Sequence, residues 1–145
     1  MFTILSVLLM HAASARTPEL SADPSVATIC AARRWRLLGA AIPWSAQISD
    51  ERPHTLSAGR VTCATLDPGI YPVTLSATFI KSDPIFGIPL GTYEAGQTAM
   101  VDARAGEVVV LQAHMEAVWL RNEWDLAWRE RDESWLARHW LREAR

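Results

Sequence analysis

The chain has 145 residues, half of them hydrophobic and 21% charged, and its 14 basic and 16 acidic residues leave a formal net charge of −2. This length allows one domain with its own core, and the composition excludes a disordered chain. The charge balance argues against a nucleic-acid partner, because no net positive field would attract a polyanion. The densest basic segment, Arg33-Arg34-Trp35-Arg36, is interpreted as a solvated strand edge in preference to a basic and aromatic patch.

The N-terminal residues 2–15 are apolar and end in Ala13-Ser14-Ala15, the small-residue pattern that signal peptidases cleave. Residues 1–15 are therefore predicted to be a signal peptide, with the mature chain beginning at Arg16. The alternative is a buried first strand or helix, because no basic residue precedes the apolar run. Since about 20 apolar residues are needed to cross a bilayer, no membrane span is expected after cleavage. The predicted location is periplasmic or secreted, with a flexible lead-in over residues 16–25 and a single domain over residues 26–145.

Export also affects how the two cysteines are interpreted. In an oxidising compartment Cys30 and Cys63 are predicted to form a disulfide, since only one intramolecular pairing exists. The alternative is two buried free thiols packed as small hydrophobic side chains.

Alternation of apolar and polar residues predicts half-buried strands along most of the domain. Turn residues separate these strands at 57–59, 67–69 and 105–106, and Asp67-Pro68-Gly69 is predicted to close a hairpin in which glycine takes a positive φ. The predicted strands cover residues 44–49, 60–66, 70–79 and 108–119.

Residues 82–91 carry two prolines and two glycines, which is atypical of a central strand. This segment is predicted to be a long loop and a place where a binding site could lie. Its apolar residues, Ile85, Phe86, Ile88 and Leu90, are expected to cover one end of the core.

The C-terminal quarter contains five of the seven tryptophans, between Trp119 and Trp140. The alternation of Trp124 and Trp128 with polar residues favours a last strand over a helix. Asp132 is then predicted to cap a helix over residues 133–144. The tryptophans are interpreted as core in preference to a binding surface, with Trp124, Trp128 and Trp140 mostly buried. The fold class is all-β: a small antiparallel β-sandwich or open barrel with one short C-terminal helix.

The sequence carries no motif that specifies a reaction. It has no Gly-x-Ser-x-Gly and no phosphate-binding loop, and His54, His114 and His139 are too widely spaced to suggest a metal site. Adjacent carboxylates such as Asp50-Glu51 are poor acid and base partners, because neighbours on a strand point in different directions. No catalytic residues, metal or cofactor are therefore predicted.

Several segments together resemble a bacterial family, the exported or lipoprotein-type domain of unknown function numbered twenty-eight forty-six. The resemblance covers Arg34, residues 39–42, the polar turn at Asp50 and the Pro68-Gly69 turn before a Tyr-x-Val-x-Leu strand, and it continues more loosely through residues 105–107. It implies a small β-sandwich, similar in shape to transthyretin-like and carbohydrate-binding-like modules, with no established activity. The chain departs from the family in lacking a lipid-attachment cysteine after its signal and in having residues 50–53 in place of a tighter turn.

The resulting expectation is a non-enzymatic protein of the cell envelope that acts as a binding or structural module. Its partner is expected to be an envelope protein or a glycan. A carbohydrate- or peptide-binding accessory domain is the alternative, and an uncharacterised hydrolase is a third possibility.

Overall fold

The structure is a computed structural model, and it describes residues 23–36, 40–118, 123–139 and 142–143. The predicted signal peptide, most of the lead-in, Trp119 and Trp140 lie outside the described residues. Within these ranges the chain forms nine strands and one short helix. They are β1 (Ala27–Arg33), β2 (Trp44–Ile48), β3 (His54–Leu56), β4 (Arg60–Leu66), β5 (Gly69–Ser82), β6 (Pro89–Ala103), β7 (Val108–Val118), β8 (Glu123–Arg131), α1 (Glu133–Arg138) and β9 (Arg142–Glu143).

The strands form two sheets that enclose a common core, so the prediction of an all-β sandwich is confirmed. One sheet has five strands in the order β8-β7-β1-β4-β9, and the other has four in the order β3-β2-β5-β6. The sandwich is not wholly antiparallel, because β1 pairs with β7 and β4 with β9 in parallel. Tight turns impose antiparallel pairing only on strands that follow one another directly in the chain. In each of these two parallel pairs, the paired strands are far apart in the chain.

The central strand β1 is buried on both faces, and all seven of its residues are buried. Ile29 and Ala31 contribute to the core between the sheets. Cys30 and Ala32 face outward and are covered by Trp135 and Leu136 of α1. An uninterrupted run of small and apolar residues is the pattern expected of a strand buried on both sides.

The predicted disulfide joins Cys30 to Cys63 across the pair β1 and β4, with the two Cα atoms 4.1 Å apart. It therefore links neighbouring strands at the middle of the five-stranded sheet. A disulfide of this kind is typical of proteins in an oxidising compartment. None of the described helices is long and apolar enough to cross a membrane.

The hairpin predicted at Asp67-Pro68-Gly69 is wrong. The strands β4 and β5 lie in different sheets, so these residues carry the chain across the sandwich. Gly69 opens β5 without a positive φ, and the Tyr71 hydroxyl donates a hydrogen bond to the Asp67 carbonyl oxygen at 2.6 Å. Turn-forming residues indicate that the chain changes direction, but they do not indicate which sheet the next strand joins.

The C-terminal helix is shorter than predicted. Asp132 caps it as expected, with Oδ1 accepting a hydrogen bond from the Trp135 backbone N–H at 2.9 Å. The helix ends at Arg138 instead of residue 144, and residues 142–143 pair with Arg60 and Val61 as β9. Pairing with the edge of β4 satisfies backbone groups that a longer helix would leave open on that strand.

The loop predicted over residues 82–91 is shorter than predicted and covers residues 83–88. The strands β5 and β6 form one long hairpin, and only residues 83–88 connect them. Ile85, Phe86, Ile88 and Leu90 are 57–79% exposed, so the expectation that they cover the core is wrong. The reason is the length of the hairpin, because β2 pairs with β5 only as far as Ala77 and the remaining residues extend beyond it.

The tryptophans divide between core and surface. Trp44 and Trp135 are buried, whereas Trp124 is 38% exposed, so the prediction that Trp124 is buried is wrong. Trp128 is half-buried and donates from Nε1 to the Val73 carbonyl oxygen at 3.0 Å, which ties β8 to β5. Trp124 is the second residue of β8 and lies opposite Ala117 of β7.

Candidate functional site

A small pocket opens where β1 ends beside β7. Its volume is about 130 Å³, enough for a few water molecules or one small charged group but not for a drug-sized molecule. We call it the arginine pocket. Its walls are formed by Arg33, Arg34, Arg36, Trp44, Gln112, Ala113, His114, Met115 and Trp124.

The parallel register between β1 and β7 creates this pocket. Arg33 pairs with Ala113, and β1 then ends while β7 continues to Val118. Arg34 and Arg36 therefore follow the strand end next to His114. Antiparallel pairing of β7 with β8 brings Trp124 to the same end of the sheet, opposite Ala117.

Arg33 is the buried base of the pocket, with only 3% of its surface exposed. Its Nη1 donates to the carbonyl oxygens of Ile42 and Leu56 at 2.8 and 3.1 Å. Its guanidinium lies over the Trp44 ring, 3.7 Å from the ring centroid. Burial lowers the pKa of Arg33 to about 10, so it stays protonated at neutral pH and contributes a fixed positive charge.

The other two arginines are exposed to solvent. The interpretation of residues 33–36 as a solvated strand edge is right for Arg34, Trp35 and Arg36, which are exposed. It is wrong for Arg33, which is buried. Trp35 is 63% exposed and does not line the pocket; it lies instead near Gly59. The two exposed guanidiniums are therefore available at the mouth, above the buried one.

His114 lies in a positively charged environment. Burial is the main cause that lowers its pKa, and Arg129, Arg36 and Arg131 lower it further while Glu116 opposes them. Its Nε2 is 3.8 Å from a Glu116 oxygen, which also accepts a hydrogen bond from Arg129 at 3.2 Å. His114 is therefore neutral at pH 7 and gains charge only as the pH falls.

Two tryptophans complete the walls. Trp44 is 5% exposed, and its buried Nε1–H has no hydrogen-bond partner among the residues that the structure describes, a costly condition for a buried donor. Trp124 is held by its backbone, because its N–H donates to the Tyr93 hydroxyl at 2.6 Å and its carbonyl oxygen accepts from the same hydroxyl at 3.2 Å. The exposed Trp124 side chain offers a flat apolar surface beside three arginines.

The described lining offers positive charge and hydrogen-bond donors and includes no carboxylate, hydroxyl or thiol. This chemistry suits binding of an anion. His54 and His139 lie elsewhere; His139 stacks on Trp135 with ring centroids 4.4 Å apart. Among the residues described, no group of three His, Cys, Asp or Glu side chains could hold a metal ion.

A larger groove of about 520 Å³ runs between β6 and the strands β7 and β8. Its wall carries both signs of charge, and several of these groups contact one another. Arg104 lies 3.6 Å from Asp102, and its backbone N–H donates to a Glu107 oxygen at 3.2 Å. This groove therefore lacks the single-sign charge of the arginine pocket.

Comparison of the chain with family models, curated proteins and solved structures gave no match. The resemblance to the exported domain family stays a prediction, and function rests on the geometry of the site. Sequence reasoning noticed Arg34, Arg36, His114 and Trp124 one by one and interpreted each as surface or core. The parallel pairing of β1 with β7 and the antiparallel pairing of β7 with β8 bring them together, and no local sequence signal encodes the register between β1 and β7.

Proposed function

We propose that this chain is an exported, non-enzymatic binding module of the cell envelope, periplasmic or secreted, and that its arginine pocket binds the anionic group of an acidic glycan. The observation that carries the proposal is the composition of the pocket wall: three arginines and a histidine, with no acidic residue in the described lining. A protein with a formal net charge of −2 concentrates positive charge here.

The flat side chain of Trp124 favours a sugar as the bearer of that charge. Arginine binds carboxylates and phosphates through paired donors, and an exposed indole provides an apolar face against which a sugar ring can stack. The pocket volume of about 130 Å³ admits the charged group alone. The ring would then rest on Trp124, outside the pocket.

Galacturonate is a suitable probe, with neutral galactose as its matched control. Titration followed by NMR should give a dissociation constant of roughly 1 mM for galacturonate, typical of a few contacts to one residue, and no saturable binding of galactose. Arg36→Gln should weaken galacturonate binding about tenfold. Arg104→Gln removes the same charge from an exposed arginine near the start of β7, and it should leave binding unchanged.

Two results would contradict the proposal. Equal binding of galactose would show that charge plays no part in recognition. Binding of inorganic phosphate that displaces galacturonate at equal concentration, with no effect of Trp124→Ala, would show a general anion site without a sugar-binding surface.

The proposed binding should depend on pH through His114. Its lowered pKa keeps it neutral at pH 7, and protonation below that pKa adds a positive charge to the wall. Galacturonate should therefore bind more tightly below the pKa of His114 than at pH 7, over the range in which its own carboxyl, with a pKa of about 3.5, stays ionised. His114→Gln should abolish this difference; a pH effect that persists in the variant would assign it to another group.

A further inference from the structure

The β5–β6 hairpin ends in a cluster of exposed apolar side chains, which we call the apolar tip. It consists of Ile80, Ile85, Phe86, Ile88 and Leu90, which are 57–79% exposed. Single exposed hydrophobic residues are ordinary, but a contiguous group at a projecting end indicates a contact surface. The tip lies outside the arginine pocket and contributes none of its wall.

We infer that the apolar tip inserts into the surface of a lipid bilayer and holds the protein there peripherally. The inference is independent of the proposed glycan binding. It rests on three properties of the tip: its backbone hydrogen bonding, the distribution of its side chains and its area.

Four backbone N–H groups of the connecting residues 83–88 are paired within the connection, which lowers the cost of insertion into an apolar medium. The N–H groups of Ile85 and Phe86 donate to Asp83 Oδ1 at 2.9 and 2.8 Å. Those of Asp83 and Gly87 donate to the carbonyl oxygens of Ile88 and Asp83 at 2.8 and 2.9 Å. The two prolines of the segment have no N–H to satisfy.

Exposed apolar side chains lie both in the connection and on the two strands that lead to it. Ile85 and Phe86 are 79% and 77% exposed in the connection, and Ile80 and Leu90 are 67% and 62% exposed on the two strands. Lipid chains can close around a projection of this kind.

The tip is also small for a protein interface. Side chains of about 100–200 Å² each, at the exposures given above, present on the order of 500 Å². A stable protein interface needs about 800 Å² from each partner, so a second copy of this chain is disfavoured as the occupant.

The geometry suits shallow insertion. About three residues separate the Lys81–Gly91 pair from the end of the hairpin, or roughly 10 Å at the rise of a strand. This matches the depth of about 5–10 Å at which peripheral elements penetrate the interface. Lys81, the only lysine of the chain, would then lie at headgroup level, where it forms an ion pair with Glu123 at 3.1 Å.

Flotation of the full chain with vesicles tests the inference. The vesicles contain phosphatidylethanolamine and phosphatidylglycerol in one set and phosphatidylcholine alone in another. The tip variant Ile85→Ser/Phe86→Ser should reduce the bound fraction at least tenfold on both sets. Ile70→Ser/Met100→Ser is the matched control, because these residues are 67% and 66% exposed at the other end of the same hairpin. It should bind like the unmodified chain.

A second measurement detects whether the tip itself enters the lipid. It does not depend on other lipid-binding segments, such as the apolar residues 2–15. Phe86→Trp should gain fluorescence that brominated lipids quench, relative to the unmodified chain, while Met100→Trp should gain none. Absence of extra quenching at residue 86 would overturn the inference. A tip variant that converts a dimer to a monomer in light scattering would also overturn it, since the occupant would then be a second copy. Lipid binding that needs anionic lipid and survives the tip substitutions would overturn it as well.

Discussion

Arg33 connects the two sheets at the level of one side chain. It belongs to β1 of the five-stranded sheet, yet its guanidinium donates to the Leu56 carbonyl oxygen of β3 and stacks on Trp44 of β2 in the other sheet. Burying a charge is costly unless its donors are satisfied. The carbonyl contacts offset that cost, so Arg33 both stabilises the fold and charges the pocket.

Replacing Arg33 should therefore destabilise the protein more than replacing its neighbour. Arg33→Met leaves two carbonyl oxygens without their donor, and the free energy of unfolding should fall by about 2–4 kcal/mol. Arg34→Met, at an exposed position next in the chain, should change it by less than about 0.5 kcal/mol. Urea denaturation at pH 7 measures both. Equal effects would mean that the buried contacts of Arg33 contribute no stability.

At the scale of elements, β8 and α1 close the five-stranded sheet. Leu126 of β8 lies in the core between the sheets. Trp135 and Leu136 of α1 cover the outer faces of β1, β4 and β7. A chain that ends at Val118 would expose these faces and lose several buried side chains worth about 1.5–3 kcal/mol each.

Such a shortened chain should not fold, because a domain of this size has only about 5–15 kcal/mol of stability to lose. Circular dichroism should show no cooperative thermal transition. A chain ending at His139 keeps β8 and α1, and it should melt cooperatively. If the chain ending at Val118 melted near the full-length protein, the C-terminal elements would be an appendage and not part of the core.

The elements show which information the sequence carries. The strand over residues 60–66 matches its predicted bounds, and Asp132 caps α1 as predicted, because alternation and capping are local patterns. The strand β6 was not predicted, since its inward side includes Ala95, Ala99 and Ala103, whose small side chains give a weak apolar signal. Sheet membership and parallel register depend on contacts distant in sequence. The arginine pocket, which depends on that register, could not be predicted for the same reason.

At the scale of the whole molecule, the arginine pocket and the apolar tip lie at the same end of the sandwich. Trp44 of the pocket pairs with Ala77, where β5 begins to extend toward the tip. The Tyr93 hydroxyl on the hairpin holds the Trp124 backbone, and Lys81 reaches Glu123. A tip inserted in lipid would therefore hold the pocket close to the membrane surface, where an acidic envelope glycan would be within reach.

The disulfide should determine the stability of the entire domain, because it joins two strands at the middle of one sheet. Cys30 and Cys63 are 33 residues apart in the chain, and closing a loop of that size restricts the unfolded state by about 3–4 kcal/mol at 25 °C. Replacing both cysteines with alanine should lower the free energy of unfolding by about that amount without changing the strand pairing. Urea denaturation of the double variant and of the oxidised protein measures the difference, and Cys63→Ala alone is the comparison for an unpaired Cys30 thiol. Native protein whose two thiols alkylate freely, or a double variant as stable as the oxidised protein, would contradict this role.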